Sequence, residues 1–115
     1  MLARKFTLKS RTDFAKVKKE GKPVPSESYT LLVYRRGGGE PSRFGFIIST
    51  KVSKKASLRN RAKRALSEGV RFVSFNVKPG YDCLFLGKSV IVKKYTQDLM
   101  TEVAYTLKKA RLYNS

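Results

Sequence analysis

The segment from Lys51 to Arg64 contains the densest cluster of side chains that could bind an anion. Seven of its fourteen residues are Lys or Arg, and none is Asp or Glu. Arginine can bind phosphate through two parallel hydrogen bonds, whereas lysine acts as a point charge. A solvated helix face normally mixes both signs of charge, so this unmixed segment favours phosphate binding. The candidate binding residues are Lys51, Lys54, Lys55, Arg59, Asn60, Arg61, Lys63 and Arg64.

A second basic cluster lies near the N-terminus, within residues 4–22. It holds eight Lys or Arg residues, which only Asp13 and Glu20 offset. If a helix at 11–20 packs beside a strand at 28–36, these cations border a groove that contains Phe14. Aromatic rings beside basic edges are typical of proteins that hold single-stranded nucleic acid. The alternative is that Phe14 belongs to the core, as an aromatic residue on a short helix often does.

The strand at 28–36 offers two tyrosines to this groove, one on each face. Tyr29 alternates with Leu31 and Val33, and Tyr34 alternates with Thr30 and Leu32, so both faces are partly apolar. The alternation therefore leaves open which tyrosine lines the groove. The candidate groove residues are Phe14, Arg11, Lys18 and Tyr29.

Catalysis by the protein's own side chains has little support in the sequence. Histidine, the usual general acid and base near neutral pH, does not occur. The eight carboxylates are scattered, without the short-range pair that a two-metal nuclease requires. We therefore predict no catalytic residues, no metal ligands and no cofactor bound by the protein.

Composition restricts the partners and the compartment. Lys and Arg number 26 against 8 Asp and Glu, giving a formal net charge of +18 in 115 residues. This excess predicts a polyanionic partner, and the length is that of one domain, 1–115. The single cysteine, Cys83, lies in an apolar run and is expected to be a buried, reduced thiol, which fits the cytoplasm. No apolar stretch approaches the roughly 20 residues needed to cross a bilayer, so we expect no membrane association.

Hydrophobic periodicity and turn residues predict six helices and strands, preceded by an extended arm. We expect an extended arm at 1–9, a helix at 11–20 between Ser10 and Gly21, and an antiparallel hairpin of strands 28–36 and 43–49 around Gly37–Gly39. A helix at 57–75 has an apolar face and a basic face. A buried strand at 81–87 and a helix at 96–110 complete the chain.

The run Arg59-Asn60-Arg61, followed by Ala62-Lys63-Arg64, resembles the RNR-x-KR hallmark of the bacterial ribonuclease P protein subunit. The preceding loop resembles that family's basic loop, with Ser49, Lys51 and Ala56 at matching positions. The resemblance extends in the same order over nearly the whole chain. Its other matching segments are TDFAKVKKEG at 12–21, RFGFIIS at 43–49, YDCLFLGK at 81–88 and LKKARLY at 107–113.

This resemblance implies an α/β (α+β) two-layer sandwich, in which a mostly antiparallel central sheet of about four strands packs with three helices. It also implies a ribosomal protein S5 domain 2-like topology with a left-handed crossover. The implied role is that of a monomeric subunit in the ribonuclease P ribonucleoprotein, the endoribonuclease that removes the 5′ leader from precursor tRNA. The implied partners are the catalytic ribonuclease P RNA, which requires Mg²⁺, and the 5′ leader, which the groove would hold. The resemblance also adds Lys88, at the end of the strand 81–87, to the candidate groove residues.

Some positions depart from the family's pattern. Thr50 stands where lysine is frequent and Lys18 where a groove-lining apolar or aromatic residue is frequent, so the detailed leader contacts are open. Ala62 and Val70 stand where larger residues are common, which concerns packing.

Three other functions fit parts of the sequence. A ribosomal-type RNA binder would share the size and charge, and a DNA-binding protein could place helix 57–75 in a major groove. An autonomous nuclease is the third, and the absence of histidine disfavours it.

Overall fold

The computed structural model describes residues 2–114. Within this range the chain forms three α-helices and four strands, with 3-10 turns at Arg4–Phe6, Ser74–Asn76 and Ser89–Lys93. The main elements are α1 (Arg11–Glu20), β1 (Lys22–Pro25), β2 (Tyr29–Arg35), β3 (Arg43–Ile47), α2 (Ala56–Val73), β4 (Tyr81–Gly87) and α3 (Thr96–Lys109). None of the helices among these residues is long and apolar enough to cross a membrane.

The four strands form one mixed sheet in the order β1-β2-β4-β3. β2 pairs antiparallel with β1 and with β4, whereas β3 pairs parallel with β4. The predicted hairpin of 28–36 and 43–49 is therefore wrong, because β4 lies between these two strands. The run Asp82–Phe85 is buried throughout, and a strand that is apolar on both faces is stabilised best at the centre of a sheet.

The parallel pairing of β3 with β4 determines where α2 lies. Parallel neighbours cannot be joined by a tight turn and need a crossover segment, usually a helix. Residues 48–80 provide it, and α2 is its main part. The helix that carries the basic cluster is thus held against the sheet by the chain's connectivity.

Two edge segments differ from the prediction. β1 was not predicted, because Pro23 and Pro25 argue against a strand; prolines are tolerated here since β1 is the outermost strand. The expected extended arm instead begins with a 3-10 turn at Arg4–Phe6. Ala3 before this turn and Thr7 after it are extended, and there Thr7 bridges Phe44 and the Leu8 amide donates to the Phe44 carbonyl at 2.9 Å.

The helices cover both faces of the sheet. Alternate residues of β2 and β4, including Tyr29, Leu31 and Phe85, pack with the apolar faces of α2 and α3. The intervening residues Leu32 and Leu84 pack beneath α1. α2 and α3 approach closely at Gly69, where a Cβ atom would lie 3.0 Å from that of Val103. The basic helix is therefore fixed by the larger of two apolar clusters.

A buried ion-pair network joins the ends of β2, β3 and β4. The Asp82 side chain is 3% exposed and accepts hydrogen bonds from Arg36 at 2.6 Å and from Arg43 at 2.7 Å. Arg43 also pairs with Asp13 of α1 at 3.2 Å. Hydrogen bonding to Asp82 and its negative charge raise the pKa of Arg43. The network therefore ties α1 and the loop after β2 to the centre of the sheet.

Replacing this buried carboxylate should destabilise the fold. Asp82→Asn removes the negative charge that two partly exposed arginines share, and we expect a loss of about 2 kcal/mol in the free energy of unfolding. Urea unfolding monitored by circular dichroism measures it. Glu68→Gln, which disrupts the exposed pair with Arg71, is the matched control and should change stability little. Equal stability of Asp82→Asn and the wild type would contradict this account of the network.

Candidate nucleic-acid interface

The outer face of α2 carries the exposed part of the basic cluster. The buried face includes Ala62, Ala65, Leu66, Gly69 and Val70. At about 100° per residue, Asn60, Arg64 and Arg71 point to the opposite side, and all three are exposed. This face gives a partner access to side chains that the core does not use.

Two arginines of the cluster are partly committed to the fold. Arg59 donates from Nη1 to the Ser53 carbonyl at 2.8 Å, and Arg61 donates from Nη2 to the carbonyls of Val92 and Lys94 at 2.9 and 3.0 Å. Arg59 thus holds the loop before α2, and Arg61 holds the turn before α3. Each guanidinium has five N–H donors, so both retain donors for a phosphate.

The loop before α2 places three exposed lysines at the start of the helix. Lys51 and Lys54 lie in the loop, and Lys55 is the N-cap residue, without a side-chain capping bond. The first turn of α2 contains no acidic residue. The positive end of the helix dipole and its unpaired N–H groups favour phosphate beside these lysines. Together with Asn60, Lys63 and Arg64, they form one basic surface, which we call the α2 surface.

The second candidate site lies on the opposite face of the sheet, beside α1. Phe14 is half-buried and packs over Gly45 of β3, where a Cβ atom would lie 2.7 Å from the Phe14 ring. Glycine at this position therefore allows the ring to lie against the strand. Arg11 and Lys18 are exposed on α1. We call the site formed by Phe14, Arg11 and Lys18 the α1 groove. Phe14 also packs against the smaller of the two apolar clusters.

Tyr29 does not belong to the α1 groove, which corrects the sequence-based assignment. It is fully buried on the other face of the sheet, where its ring meets the edge of Phe85 and its hydroxyl lies 2.8 Å from the Thr106 hydroxyl. Burial raises the pKa of the Tyr29 hydroxyl. Tyr34, five residues later, packs on the α1 side with the Lys16 ammonium 5.7 Å from its ring centre. Tyr34 is therefore the tyrosine on the α1 side of the sheet.

Lys88 is exposed at the end of β4 and is attached to a neighbouring loop. Its Nζ donates to the Ser26 carbonyl at 2.6 Å, and its backbone amide donates to the Ser28 carbonyl at 2.9 Å. These bonds link Lys88 to the segment before β2. None of its hydrogen bonds within residues 2–114 joins it to α1.

Groups associated with protein-based chemistry are sparse in the described residues. No cluster of His, Cys, Asp and Glu within 2–114 has an arrangement that could hold a metal ion. Cys83 is completely buried, and burial raises the pKa of its thiol. A deeply buried neutral thiol is a poor nucleophile and metal ligand. Residues 2–114 therefore offer a partner positive charge and aromatic surface.

Comparison with known proteins gives one consistent family. A family model described as Ribonuclease P matches residues 2–111. Ribonuclease P protein components from Gluconacetobacter diazotrophicus and a Synechococcus strain are 35% and 36% identical to this chain, covering 96% and 97% of it and 95% and 86% of their own lengths. The solved Staphylococcus aureus RNase P protein superimposes with a TM-score of 0.85 over 95% of this chain and 98% of its own, at 22% identity, which supports the fold.

The different roles of Arg61 and Arg64 can be separated by mutation. Arg61→Ala removes two hydrogen bonds to backbone carbonyls and should lower the free energy of unfolding by about 1–2 kcal/mol. Arg64→Ala removes an exposed side chain and should change it by less than about 0.5 kcal/mol. Thermal unfolding of both variants and the wild type provides the comparison. A destabilisation by Arg64→Ala as large as that by Arg61→Ala would refute the assignment of a structural role to Arg61 and not to Arg64.

Proposed function

Because the chain belongs to the ribonuclease P protein family, we propose that it binds ribonuclease P RNA through the α2 surface and the 5′ leader of precursor tRNA in the α1 groove. It thereby assists RNA-catalysed removal of the leader. The observation that supports this most strongly is the α2 surface, in which an RNR-x-KR run lies on a helix that the core holds rigidly.

Binding at the α2 surface is chiefly electrostatic. Exposed Lys51, Lys54, Lys55 and Arg64 can each neutralise a phosphate and release its condensed counterions. Asn60 adds a side-chain amide, which can donate to a phosphate or read a base edge. Since Arg59 and Arg61 are held by carbonyls, they present their remaining donors in fixed directions. Fixed donors lose little conformational entropy on binding, so the surface is suited to a structured RNA.

The α1 groove is suited to a single strand. The half-buried ring of Phe14 offers a stacking face, and Arg11 and Lys18 are exposed beside it on α1. Such a combination holds unpaired nucleotides with little dependence on sequence. A leader varies between precursor tRNAs, so sequence tolerance is the property that this role requires.

In this proposal the RNA subunit supplies the catalytic chemistry with its bound Mg²⁺. The chain has no histidine, and its buried Asp82 is occupied by two arginines. The protein's contribution is to neutralise phosphates where RNA subunit and precursor meet. Positive charge supplied by the protein replaces part of the charge that Mg²⁺ would otherwise provide, so less Mg²⁺ should be needed.

Cleavage of precursor tRNA at limiting Mg²⁺ tests the proposal. The rate with a bacterial ribonuclease P RNA should rise when the protein is added, because charge neutralisation substitutes for Mg²⁺, and protein without RNA should not cleave. Separation of the 5′ leader on a denaturing gel measures the rate. Unchanged Mg²⁺ dependence with a matched RNA would argue for a ribosomal-type RNA binder, and cleavage by protein alone would indicate an autonomous nuclease.

The salt dependence of binding tests the role of the α2 surface separately. Arg64→Ala should weaken the affinity for ribonuclease P RNA and make the log–log salt slope shallower by about 0.7–0.9, because one phosphate contact is lost. Fluorescence anisotropy over a series of KCl concentrations provides the slope. Lys108→Ala, which removes an exposed cation from α3, should leave the slope unchanged. Identical slopes for Arg64→Ala and the wild type would place the contact elsewhere.

A further inference from the structure

Two aromatic side chains are exposed at the C-terminal end of α2. Phe75, in the 3-10 turn after the helix, is 85% exposed, and Phe72 is 60% exposed. Phenylalanine has no polar group to offer water, and adjoining exposed apolar side chains mark contact sites more often than scattered single ones do. Neither residue is part of the α2 surface or of the α1 groove.

Phe75 and Phe6 both line one hollow. The hollow has a volume of about 270 Å³, and its other lining residues include Gly39, Pro41 and Pro79. Pockets for drug-sized ligands occupy roughly 300–1,000 Å³, so this one suits a single flat ring. It is too small for a helix or strand of a protein partner.

The polar side chains of the hollow are already engaged. The Ser42 hydroxyl donates to the Lys78 carbonyl and accepts from the Tyr81 amide, and the Ser74 hydroxyl donates to the Arg71 carbonyl. These hydroxyls are therefore poorly placed to read the edge of a bound ring. The hollow offers apolar and aromatic surfaces instead, which favours stacking over base-specific hydrogen bonding.

Positive charge lies beside one aromatic ring of the hollow. The Lys5 ammonium lies 5.0 Å from the centre of Phe6. The Arg71 guanidinium lies 5.2 Å from the centre of Phe72, a ring outside the hollow, and pairs with Glu68. The exposed cation beside Phe6 therefore favours an anionic partner that carries flat rings, as RNA does.

The hollow lies beyond the C-terminal end of the helix that carries the α2 surface. At about 100° per residue, Arg64 and Arg71 project to nearly the same side of α2, which ends at Val73. Nine residues separate Arg64 from Val73, or about 14 Å at a helical rise of about 1.5 Å per residue, and Phe75 lies in the 3-10 turn that follows. One RNA molecule that contacts Arg64 can therefore extend to the hollow.

We propose that the hollow between Phe6 and Phe75 binds an unpaired base of the RNA that contacts the α2 surface. This inference rests on the proposed function and adds a base-stacking site to its phosphate contacts. The alternative occupant is a second copy of this chain. A formal net charge of +18 on each copy opposes that association.

Replacing Phe75 tests the proposal. Phe75→Ala should weaken binding to a bacterial ribonuclease P RNA about tenfold at fixed salt, which is within the range of single-base stacking. The salt slope should stay the same, because no phosphate contact is lost. Phe75→Trp should restore the affinity. Tyr105→Ala, which removes a ring that is 67% exposed on α3, is the matched control and should bind like the wild type.

Each outcome of this experiment has a distinct meaning. If the wild type does not bind ribonuclease P RNA, the proposed function fails and the hollow loses its partner. If the wild type binds and Phe75→Ala binds equally well, the stacking site alone is refuted. If Phe75→Ala changes the sedimentation coefficient of the free protein without changing RNA affinity, the hollow is a contact between copies. Equal loss in Tyr105→Ala would also refute a specific site.

Discussion

The insertion of β4 between β2 and β3 is the constraint on which the rest of the structure depends. β4 is buried on both faces and hydrogen-bonds to a strand on each side. Its parallel pairing with β3 requires a crossover, and the crossover includes α2. The basic residues of α2 therefore project from a helix that cannot move away from the sheet without disrupting its centre. Because of this connectivity, the basic residues of α2 are held in fixed positions relative to the sheet.

The scarce acidic residues serve largely to organise this basic chain. Asp82 joins Arg36 and Arg43 at one end of the sheet, and Asp13 extends that network to α1. Glu27 pairs with Lys94, and hydrogen bonding between them raises the pKa of this lysine. Because these carboxylates pair with other cations, no ion pair that the structure shows among residues 2–114 includes Lys51, Lys54, Lys55 or Arg64. The remaining positive charge is available to an RNA partner.

Features that depend on neighbouring residues could be predicted from the sequence. α1 spans the expected residues 11–20 because Ser10 accepts a hydrogen bond from Thr12 at its start and Gly21 follows its end. The apolar periodicity of α2 and the apolar run of β4 likewise identify their buried sides. The resemblance to the ribonuclease P protein subunit gave the mixed α+β fold, which the structure and the comparisons confirm.

Features that depend on pairing between distant segments could not be predicted from the sequence. Nothing local distinguishes a β2–β3 hairpin from two strands separated by β4, since both arrangements satisfy the same alternation. The orientation of β2 determines which of Tyr29 and Tyr34 faces α1. Tyr29 faces α3 instead, where its hydroxyl hydrogen-bonds to the Thr106 hydroxyl. Arg59 and Arg61 appeared equivalent to Arg64 in the sequence. In the structure, the Ser53 carbonyl of the adjacent loop binds Arg59, and the carbonyls of Val92 and Lys94, which are distant in sequence, bind Arg61.

The central claim is that RNA is bound on the α2 surface, and lysine footprinting tests it most directly. The protein is acylated with and without a bacterial ribonuclease P RNA, and modification at each lysine is quantified by mass spectrometry. The account predicts protection of Lys51, Lys54, Lys55 and Lys63, with Lys108 and Lys109 of α3 unchanged. Protection confined to α3, or uniform protection of all exposed lysines, would contradict it.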